Sequence, residues 1–399
     1  MSAIPTFSAQ VPEAGLRAAL ALDRAGILAV IAASGLRGRC GAGFPTSVKW
    51  NLAASAQAGR KFMVCNADEG EPGTFKDRVI LMDHPGLVFE GMTIAAKAIG
   101  AREGILFLRG EYAYLRGGLE QALARRRDQG LLGPDILGSG LGFDLRIFMG
   151  AGAYICGEET ALIECLEGFR GEPRNRPPFP VDTGFLGCPT VVNNVETLAW
   201  AACILDRGAA WFRSSGTVPS SGRKLFSVSG DCARPGVYEL PLGITVAELL
   251  REVGGEGAKA VQIGGAAGQC APAREFGRTL AFEDIPTGGS VIVFGPQRDM
   301  LEVLRNFLEF FIDESCGQCT PCRLGNPKLL EGVERLRAGR CSMAYLNELR
   351  ALGETMQVAS KCGLGQSSPN AFLSIVDHFR DEIMGRNAVP ARAQAKAGR

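Results

Sequence analysis

Four cysteines near the end of the chain carry its clearest chemical signal. Two residues separate Cys316 from Cys319, and two more separate Cys319 from Cys322. Cys362 follows far downstream within Lys-Cys-Gly-Leu-Gly. Three thiolates at this spacing can converge on one metal centre, and a distant fourth can complete the ligand set of a cubane iron–sulfur cluster. The spacing therefore predicts an electron carrier.

The fourth ligand stays open at this point. The compact ferredoxin run has its fourth cysteine where this chain has Asn326. Cys362 is the first choice because its glycine neighbours let backbone N–H groups approach sulfur, Cys341 in a polar turn between helices is the second, and Cys188 is the third. A four-thiolate zinc site is the structural alternative, although such sites normally have two separated Cys-x2-4-Cys pairs.

Bulk composition excludes several classes of function. The 399 residues predict two or three domains, and 43 basic against 42 acidic residues give a formal charge of +1, which provides no case for nucleic acid or an anionic membrane. The apolar stretch 26–33 is too short to cross a bilayer. Thirteen cysteines, an odd number with no recognisable secretory signal, argue against disulfides and predict a reducing, cytoplasmic location.

The pattern of the chain changes twice. Residues 1–216 alternate helical patterns with short apolar strands, which indicates an α/β domain. Residues 222–296 predict a small α+β domain with a mixed sheet. Residues 299–386 have no strand signal and show helical periodicity, so the cysteines belong to a helical domain. Residues 387–399 predict a disordered tail. The strands predicted in the first domain are 61–65, 104–108 and 144–148.

A glycine-rich loop lies between Gly35 and Trp50. Its glycines permit positive φ and close backbone approach, the geometry that wraps N–H donors around a phosphate, and Lys49 adds positive charge. It is not the dinucleotide fingerprint, because Thr46 stands where the third glycine belongs. Taken alone, the loop is equally well explained as a tight turn.

Three further loops strengthen a ligand site, although each also has a plain structural explanation. Asn66–Gly73 follows a predicted strand and carries three carboxylates, a composition that also suits solvent or a divalent cation. Tyr154–Thr160 opens a helix, where acidic residues complement the helix dipole. Asn193–Thr197 has the pattern of an N-cap with a first-turn glutamate.

Together these segments resemble one protein family. The motifs are Gly38-Arg-Cys-Gly-Ala-Gly-Phe-Pro45, Asn66-Ala-Asp-Glu-Gly-Glu-Pro-Gly73 through Arg78, Gly152-Ala-Tyr-Ile-Cys-Gly-Glu-Glu-Thr-Ala161, Pro177-Pro-Phe-Pro180, Asn193-Asn-Val-Glu-Thr197 and Glu314 through Arg323. They resemble the flavin-binding, NADH-oxidising subunit of complex I and its relatives, the diaphorase subunits of NAD-reducing hydrogenases and the beta subunits of NAD-dependent formate dehydrogenases. Gly73–Ile80 and Arg109–Tyr112 most resemble the hydrogenase and formate dehydrogenase branch.

The resemblance implies FMN, NAD(H) and one [4Fe-4S] cluster. It implies an FMN-binding α/β domain with Rossmann-like features, a small ubiquitin-like β-grasp domain of the soluble ligand-binding type, and a C-terminal helical bundle carrying the cluster. The cluster ligands would be Cys316, Cys319, Cys322 and Cys362. The residues implied for FMN are Gly38, Gly41, Gly43, Lys49, Asn66, Asp68, Gly157, Asn193 and Asn194, with Tyr154 beside the flavin ring.

The resemblance also implies roles toward NADH. Phe44 and Phe179 would flank the adenine, with Arg176 nearby. Glu71 would face the adenosine ribose, where its charge would reject the extra phosphate of NADPH. The residues implied to line the nicotinamide pocket and tune the flavin are Glu69, Glu158 and Glu159. Hydride would pass between NADH and FMN, and electrons would then pass singly through the cluster to or from a partner subunit.

The expected partners are a thioredoxin-like [2Fe-2S] subunit or domain and an iron–sulfur-bearing catalytic subunit of formate dehydrogenase or hydrogenase type. The flavin loop begins about 35 residues into the chain, so a [2Fe-2S] domain is expected on another subunit. Cys40 departs from the family, which usually has glycine there. The alternatives are the equivalent subunit of complex I and, in another class, a zinc-stabilised nucleotide-binding scaffold without turnover. Neither nucleic acid binding nor membrane insertion is expected.

Overall fold

A computed structural model describes residues 4–385, and its first part is built around a parallel four-stranded sheet. The predicted tail, 387–399, lies outside the described residues. The strand order is β3-β2-β1-β4. The strands are β1 (Phe62–Ala67), β2 (Glu103–Leu108), β3 (Asp144–Met149) and β4 (Thr190–Asn194). Because β2 and β4 flank β1 on opposite sides, a switch point lies between the carboxyl ends of β1 and β4, where α/β sheets bind ligands.

Helices cover one face of this sheet. The tightest contact joins two long helices, α6 and α9: a Cβ atom on Gly91 would lie 2.1 Å from the carbonyl oxygen of Leu198, so only glycine allows this approach. The helices of the first part are α1 (Pro5–Ser8), α2 (Ala14–Leu20), α3 (Arg24–Ser34), α4 (Thr46–Ser55), α5 (Lys76–Asp83), α6 (Pro85–Ile99), α7 (Arg116–Asp128), α8 (Glu159–Leu166), α9 (Val195–Arg207) and α10 (Ala209–Arg213).

The alternation of side chains along β1 serves two separate cores. Met63 and Cys65 point into the core formed with the covering helices. Phe62 and Val64 point to the opposite face, into a core shared with the helical C-terminal region. Every residue of β1 except Asn66 is buried, which explains why its sequence is a continuous apolar run.

The small second part has a five-stranded mixed sheet of order β6-β5-β9-β7-β8. Its single long helix, α11, begins with a capping box in which Thr245 and Glu248 satisfy each other's backbone N–H groups. The elements are β5 (Arg223–Gly230), β6 (Gly236–Pro241), α11 (Val246–Val253), β7 (Ala260–Ile263), β8 (Gln269–Pro272) and β9 (Ser290–Phe294).

The last part is helical, as the sequence predicts. The apolar positions of α12 that indicated helical periodicity are all buried: Met300, Leu301, Leu304, Phe307, Leu308 and Phe311. The helices are α12 (Met300–Glu314), α13 (Thr320–Arg337), α14 (Met343–Ala359), α15 (Gly363–Ser367), α16 (Asn370–His378) and α17 (Arg380–Gly385). The boundaries of the three predicted domains themselves stay predictions.

Within residues 4–385, no single helix is long and apolar enough to cross a membrane. Only α5 and α6 pass that test as a pair, across a bend of 97°.

Candidate flavin and cluster site

A cavity of about 760 Å³ opens at the carboxyl edge of the parallel sheet, at the switch point between β1 and β4. It also reaches loops of the small sheet and of the helical region. The predicted site residues that line it are Gly41, Asn66, Asp68, Glu69, Glu71, Tyr154, Gly157, Glu158 and Asn194. Another cavity, of about 670 Å³, lies on the small second part, and no predicted site residue lines it.

Asn66 and Asp68 form the floor of this cavity where β1 ends. The Asn66 amide donates to the carbonyl of Gly157 at 2.9 Å, and its oxygen accepts from the N–H of Asp68 at 3.0 Å. Asp68 Oδ2 is buried and has no hydrogen-bond partner among the described residues. Burial raises the pKa of Asp68 to about 7. A ligand rich in hydroxyl groups, such as the ribityl chain of FMN, satisfies such an oxygen, so the floor fits the expected cofactor.

Glu69 reaches the cavity wall, but its carboxylate faces the protein. It accepts hydrogen bonds from the N–H groups of Asp77 at 2.7 Å and Arg78 at 3.2 Å, at the start of α5, and from the hydroxyl of Tyr112 at 2.9 Å. Burial raises the pKa of Glu69 to about 7. These contacts connect the acidic loop to the start of α5 and to Tyr112, and the catalytic role of Glu69 stays a prediction.

A buried ion network, which sequence reasoning missed, lies behind the cavity. Lys76 lines the cavity and pairs with Asp77 at 2.6 Å and Glu196 at 3.1 Å, and Lys224 of β5 also pairs with Glu196 at 3.1 Å. All four side chains are less than 5% exposed. Burial lowers the pKa of Lys224 to about 8, whereas Asp77 and Glu196 outweigh burial and raise that of Lys76. Buried charges need partners, so the network joins the cavity to the small sheet.

The glycine-rich loop folds back on itself before α4. The N–H of Gly38 donates to the carbonyl of Phe44 at 2.9 Å, and Gly41 has a φ of 123°. Gly41 and Cys40 line the cavity, whereas Gly38 and Gly43 do not. A Cβ on Gly43 would lie 2.4 Å from the ring of Phe282, so this glycine is required for packing. Cys40 is exposed and is accommodated at the cavity wall.

Four charged residues join α4 to the start of α8. Lys49 pairs with Glu159 at 2.9 Å, and Arg176 lies 3.6 Å from Glu158 and 3.9 Å from Glu159. Glu158 also caps α8, because its carboxylate accepts the N–H groups of Thr160 and Ala161. Of the four, only Glu158 lines the cavity. The structure therefore links the predicted phosphate and nicotinamide residues to one another through ion pairs.

The remaining predicted residues divide between structural contacts and exposed surface. Asn193 accepts from the indole N–H of Trp50 at 2.7 Å, and Asn194 caps α9. Phe44 and Phe179 are half-exposed and do not line the cavity, so their adenine role stays a prediction. Sequence reasoning missed the exposed Val48 and Leu52, although they follow Phe44 at intervals of four, the spacing of one helix face.

Tyr154 stands between the cavity and the helical region. Its hydroxyl donates to Glu71 at 2.6 Å, and its ring centroid lies 5.0 Å from that of Phe310 in α12. The other carboxylate oxygen of Glu71 accepts the N–H of Ala267, from the small second part, at 3.1 Å. Burial raises the pKa of Glu71 to about 7. Glu71 thus lines the cavity with both oxygens engaged, and its contact with ribose stays a prediction.

The four favoured cysteines lie together at one edge of the core that covers the sheet. Cys322 and Cys362 are buried in one hydrophobic core, and Cys316 and Cys319 are partly buried against it; burial raises the pKa of Cys322 to about 11. Cys319 and Cys362 are the N-cap residues of α13 and α15, where backbone N–H groups favour a thiolate. Asn326, which replaces the fourth cysteine of the ferredoxin run, points its amide at Cys322 Sγ, 3.5 Å away.

The other candidate ligands lie elsewhere. The thiol of Cys341 contacts the carbonyl of Ser342, and that of Cys188 contacts the carbonyl of Leu186, both at 3.6 Å. Among residues 4–385, no three His, Cys, Asp or Glu side chains are close enough together to hold one metal ion. Four gathered thiols at two helix N-termini fit the donor set of a cubane cluster, whose sulfur ligands bind different iron atoms. The assignment of the four ligands stays a prediction.

Three family descriptions match successive parts of the chain. Residues 31–202 match the Nuo51 FMN-binding domain, residues 225–269 the SLBB domain, and residues 302–386 the NADH-ubiquinone oxidoreductase-F iron-sulfur binding region. The observed order of a parallel α/β sheet, a small mixed sheet and a helical region follows this order. The predicted fold class and the predicted cofactors FMN and [4Fe-4S] are therefore confirmed at the level of these regions.

Curated relatives extend over most of the chain. NAD-reducing hydrogenase HoxS subunit alpha of Cupriavidus necator is 51% identical over 88% of this chain, which spans 59% of that relative's length. NADP-reducing hydrogenase subunit HndC of Solidesulfovibrio fructosivorans is 42% identical over 92% of this chain and 77% of its own. An NADH-quinone oxidoreductase subunit of Rhizobium meliloti is 42% identical over 90% of this chain and 88% of its own length.

A solved structure agrees with these relatives. One chain of an NAD⁺-reducing [NiFe]-hydrogenase in its H₂-reduced state superposes with a TM-score of 0.91 at 44% identity. The match covers 99% of this chain and 69% of that one.

Proposed function

Since this chain belongs to the family of flavin-binding, NADH-oxidising subunits that occur in complex I and in NAD-reducing hydrogenases, we propose that it exchanges electrons between NAD(H) and a hydrogenase partner. Hydride would pass between the nicotinamide and FMN in the cavity, and single electrons would pass through a [4Fe-4S] cluster held by Cys316, Cys319, Cys322 and Cys362. The chain would thus be the diaphorase subunit of a larger oxidoreductase.

The position of Tyr154 is the observation that carries the proposal. Its side chain lines the cavity, and its ring packs against Phe310 and Phe311 of α12, the helix that ends two positions before Cys316. One side chain therefore separates the expected flavin site from the expected cluster. A zinc-stabilised scaffold without turnover gives no reason for a nucleotide cavity and a thiol quartet to meet in this way.

The residues of the cavity would bind and orient FMN. Asn66 and the unpartnered oxygen of Asp68 would bind its hydroxyl groups, and the N–H groups around Gly41 would hold its phosphate. Lys49, which pairs with Glu159 outside the cavity lining, would contribute its charge only if that pair opens. When bound, FMN supplies the chemistry that accepts a hydride and returns its two electrons one at a time. The protein needs no nucleophile for this step, because placement of the two rings is sufficient.

Glu71 supports a preference for NAD(H). Its carboxylate is fixed by Tyr154 and Ala267 at the cavity wall. Above about pH 7, the value to which burial raises its pKa, its negative charge would stand near a bound nucleotide and disfavour an added phosphate. HndC, one of the similar proteins, carries the description NADP-reducing. The choice of nucleotide therefore differs among relatives of this chain, and it must be tested on this chain directly.

The partner follows from the same relatives. HoxS subunit alpha and the solved NAD⁺-reducing [NiFe]-hydrogenase favour a nickel–iron hydrogenase, with a thioredoxin-like [2Fe-2S] subunit or domain completing the route. A formate dehydrogenase partner is the alternative within this branch. The NADH-quinone oxidoreductase relatives, at 42% and 40% identity, favour complex I as the second candidate. A reducing compartment such as the cytoplasm belongs to this proposal, because thiols that serve as cluster ligands must stay reduced.

The protein purified with its bound cofactors tests the proposal. We expect one FMN, about four irons and about four acid-labile sulfides per chain, as a cubane requires, and NADH-dependent reduction of a one-electron dye. One zinc and no flavin would instead identify the scaffold. A nickel–iron protein, a molybdopterin protein or a membrane complex that co-purifies would then separate the three partner assignments.

A further inference from the structure

We propose that Glu314 is a positioning residue that fixes the distance between the wall of the flavin cavity and the cysteine loop. This inference rests on the proposed function, because it concerns electron transfer between the two expected cofactors. Glu314 is the last residue of α12, and only Ser315 separates it from Cys316. Any contact that Glu314 makes is therefore transmitted directly to the first predicted cluster ligand.

That contact is a hydrogen bond to the cavity wall. Glu314 Oε2 accepts the backbone N–H of Tyr154 at 2.8 Å, although the two residues are 160 positions apart in the chain. A carboxylate that accepts a backbone N–H makes a charge-assisted bond, which is stronger than a neutral one, and this bond is partly buried. The bond fixes the main chain of the segment that forms the wall.

Apart from the short 3-10 turn Tyr154–Gly157 that its own backbone begins, the other described contacts of Tyr154 involve its side chain. Its ring packs against Phe310 and Phe311, whose centroids lie 5.0 and 6.3 Å away, and its hydroxyl donates to Glu71. A ring held at its tip and face can still rock if its backbone is released. Glu314 completes the restraint from the main-chain side, and the same helix, α12, provides both Glu314 and the two phenylalanines.

A second link to the cysteine loop is weaker. Arg170 donates to the carbonyl of Cys316 at 2.9 Å, but this arginine is 74% exposed, and exposed polar contacts contribute little. Of these two hydrogen bonds between the cysteine loop and the flavin-binding part, that of Glu314 is therefore the better protected from water. Electron transfer weakens steeply with separation, so a small displacement of Tyr154 would slow transfer without preventing hydride transfer at the flavin.

Two conservative variants distinguish the effect of side-chain length at position 314 from the effect of its charge. Glu314→Asp keeps the charge but withdraws the acceptor by one methylene group, and Glu314→Gln keeps the reach and an acceptor oxygen but loses the charge. Asp313→Asn, at the exposed neighbouring position, is the matched control for loss of charge. Each protein is purified with bound FMN and cluster, and its FMN and iron contents are measured before use.

After rapid mixing with NADH, the rates of flavin reduction and cluster reduction are measured separately from their loss of absorbance. Hydrogen exchange measures the protection of the Tyr154 amide. We expect Glu314→Asp to slow cluster reduction about tenfold and to speed exchange at Tyr154, while flavin reduction stays within about twofold of the wild-type rate. Glu314→Gln and Asp313→Asn should keep near wild-type rates and exchange. Loss of cluster from Glu314→Asp alone would also support positioning by reach.

The opposite pattern overturns the inference. If Glu314→Gln is slow and Glu314→Asp is normal, the charge matters rather than the hydrogen bond. If both variants transfer electrons at the wild-type rate, Glu314 has no positioning role. These failures differ from failure of the proposed function, which would appear in the wild-type protein as absence of FMN or of the iron–sulfur cluster.

Discussion

The flavin cavity and the cysteine quartet lie on either side of Tyr154, and they are built in different ways. The cavity collects polar groups from the ends of β1 and β4, from the glycine loop and from the other two parts of the chain, with a buried ion network behind it. The quartet comes from two short stretches and packs within an apolar core. The cavity is assembled from many segments that are distant in the chain, whereas the quartet comes from only two short segments.

The difference follows from what each site has to hold. A nucleotide or flavin presents many hydrogen-bonding groups over a long molecule, so its site needs side chains from several loops. A cluster needs four sulfur atoms and a few N–H groups, which two helix N-termini supply. Loss of one group should therefore be decisive in the quartet and graded in the cavity.

The largest effect is expected for Cys362→Ala, which removes one of only four ligands. We expect loss of most iron and acid-labile sulfide, while FMN, held by other residues, stays bound. Metal analysis and flavin absorbance of the purified variant check this.

Cys341→Ala is the matched control, because Cys341 is another buried thiol of the helical region. It should keep iron and sulfide at wild-type levels. If it loses the cluster while Cys362→Ala keeps it, the ligand assignment is wrong.

The next effect concerns the ion network behind the cavity. Lys76→Met leaves the carboxylates of Asp77 and Glu196 with one cation fewer in the core, which should lower the free energy of unfolding by about 3–5 kcal/mol. Urea denaturation measures this change. Lys328→Met, at a lysine that is 47% exposed on α13, should change it by less than about 0.5 kcal/mol. Equal effects of the two changes would show that the network contributes nothing specific.

A smaller effect is expected at the nucleotide end of the cavity. Glu71→Gln keeps an oxygen for Tyr154 or Ala267 but removes the negative charge. We expect the preference for NADH over NADPH, measured as the ratio of kcat/KM values, to fall on the order of tenfold because repulsion of the added phosphate is lost. An unchanged ratio would remove Glu71 from nucleotide selection.

The smallest effect is expected at Asp68. Burial raises its pKa from 3.8 to about 7, so between these values the folded protein binds a proton that the unfolded chain has lost. The contribution to stability is therefore present at low pH and declines as pH rises toward 7. Asp68→Asn should reduce the difference in unfolding free energy of the flavin-free protein between pH 5 and pH 8.

The same residue should contribute modestly to flavin affinity. Asp68→Ala removes one acceptor, so the Kd for FMN should rise about fivefold, as expected for one hydrogen bond. Titration of the flavin-free protein with FMN measures this value. A change of a hundredfold would make Asp68 as decisive as a cluster ligand and would break the contrast between the two sites.

The same contrast explains which features of the fold and of the sites could be predicted from the sequence. The helical pattern of α12 and three of the four parallel strands were predictable, because each is a local run of apolar residues. Strand β4 was missed because its second half is Asn193-Asn194, which has the pattern of a helix cap, and Asn194 does cap α9. The run of Cys316, Cys319 and Cys322 was recognisable for the same reason, since its spacing is local, whereas Cys362 lies far downstream and the four-ligand assignment stays a prediction.

Features that depend on distant pairing were not predictable. Nothing near Lys76 in the chain indicates that Glu196 will neutralise it, and nothing near Glu314 indicates a bond to Tyr154. The segment 217–222 has the composition of a linker, yet Ser220 is fully buried and donates to Glu283. In each case the role of the residue depends on a partner that is distant in the chain, and neither periodicity nor composition indicates which residue that partner is.

The shared core behind β1 has a practical consequence. Phe62, Val64 and Ile105 of the parallel sheet belong to the same continuous core as Leu304 and Phe311 of α12. A shortened protein that ends before Met300 would expose the part of this core that α12 contacts to water, and large exposed apolar patches promote aggregation. The flavin-binding part is therefore not a portable module: anyone who transplants it into another protein must bring the cluster-bearing helices with it.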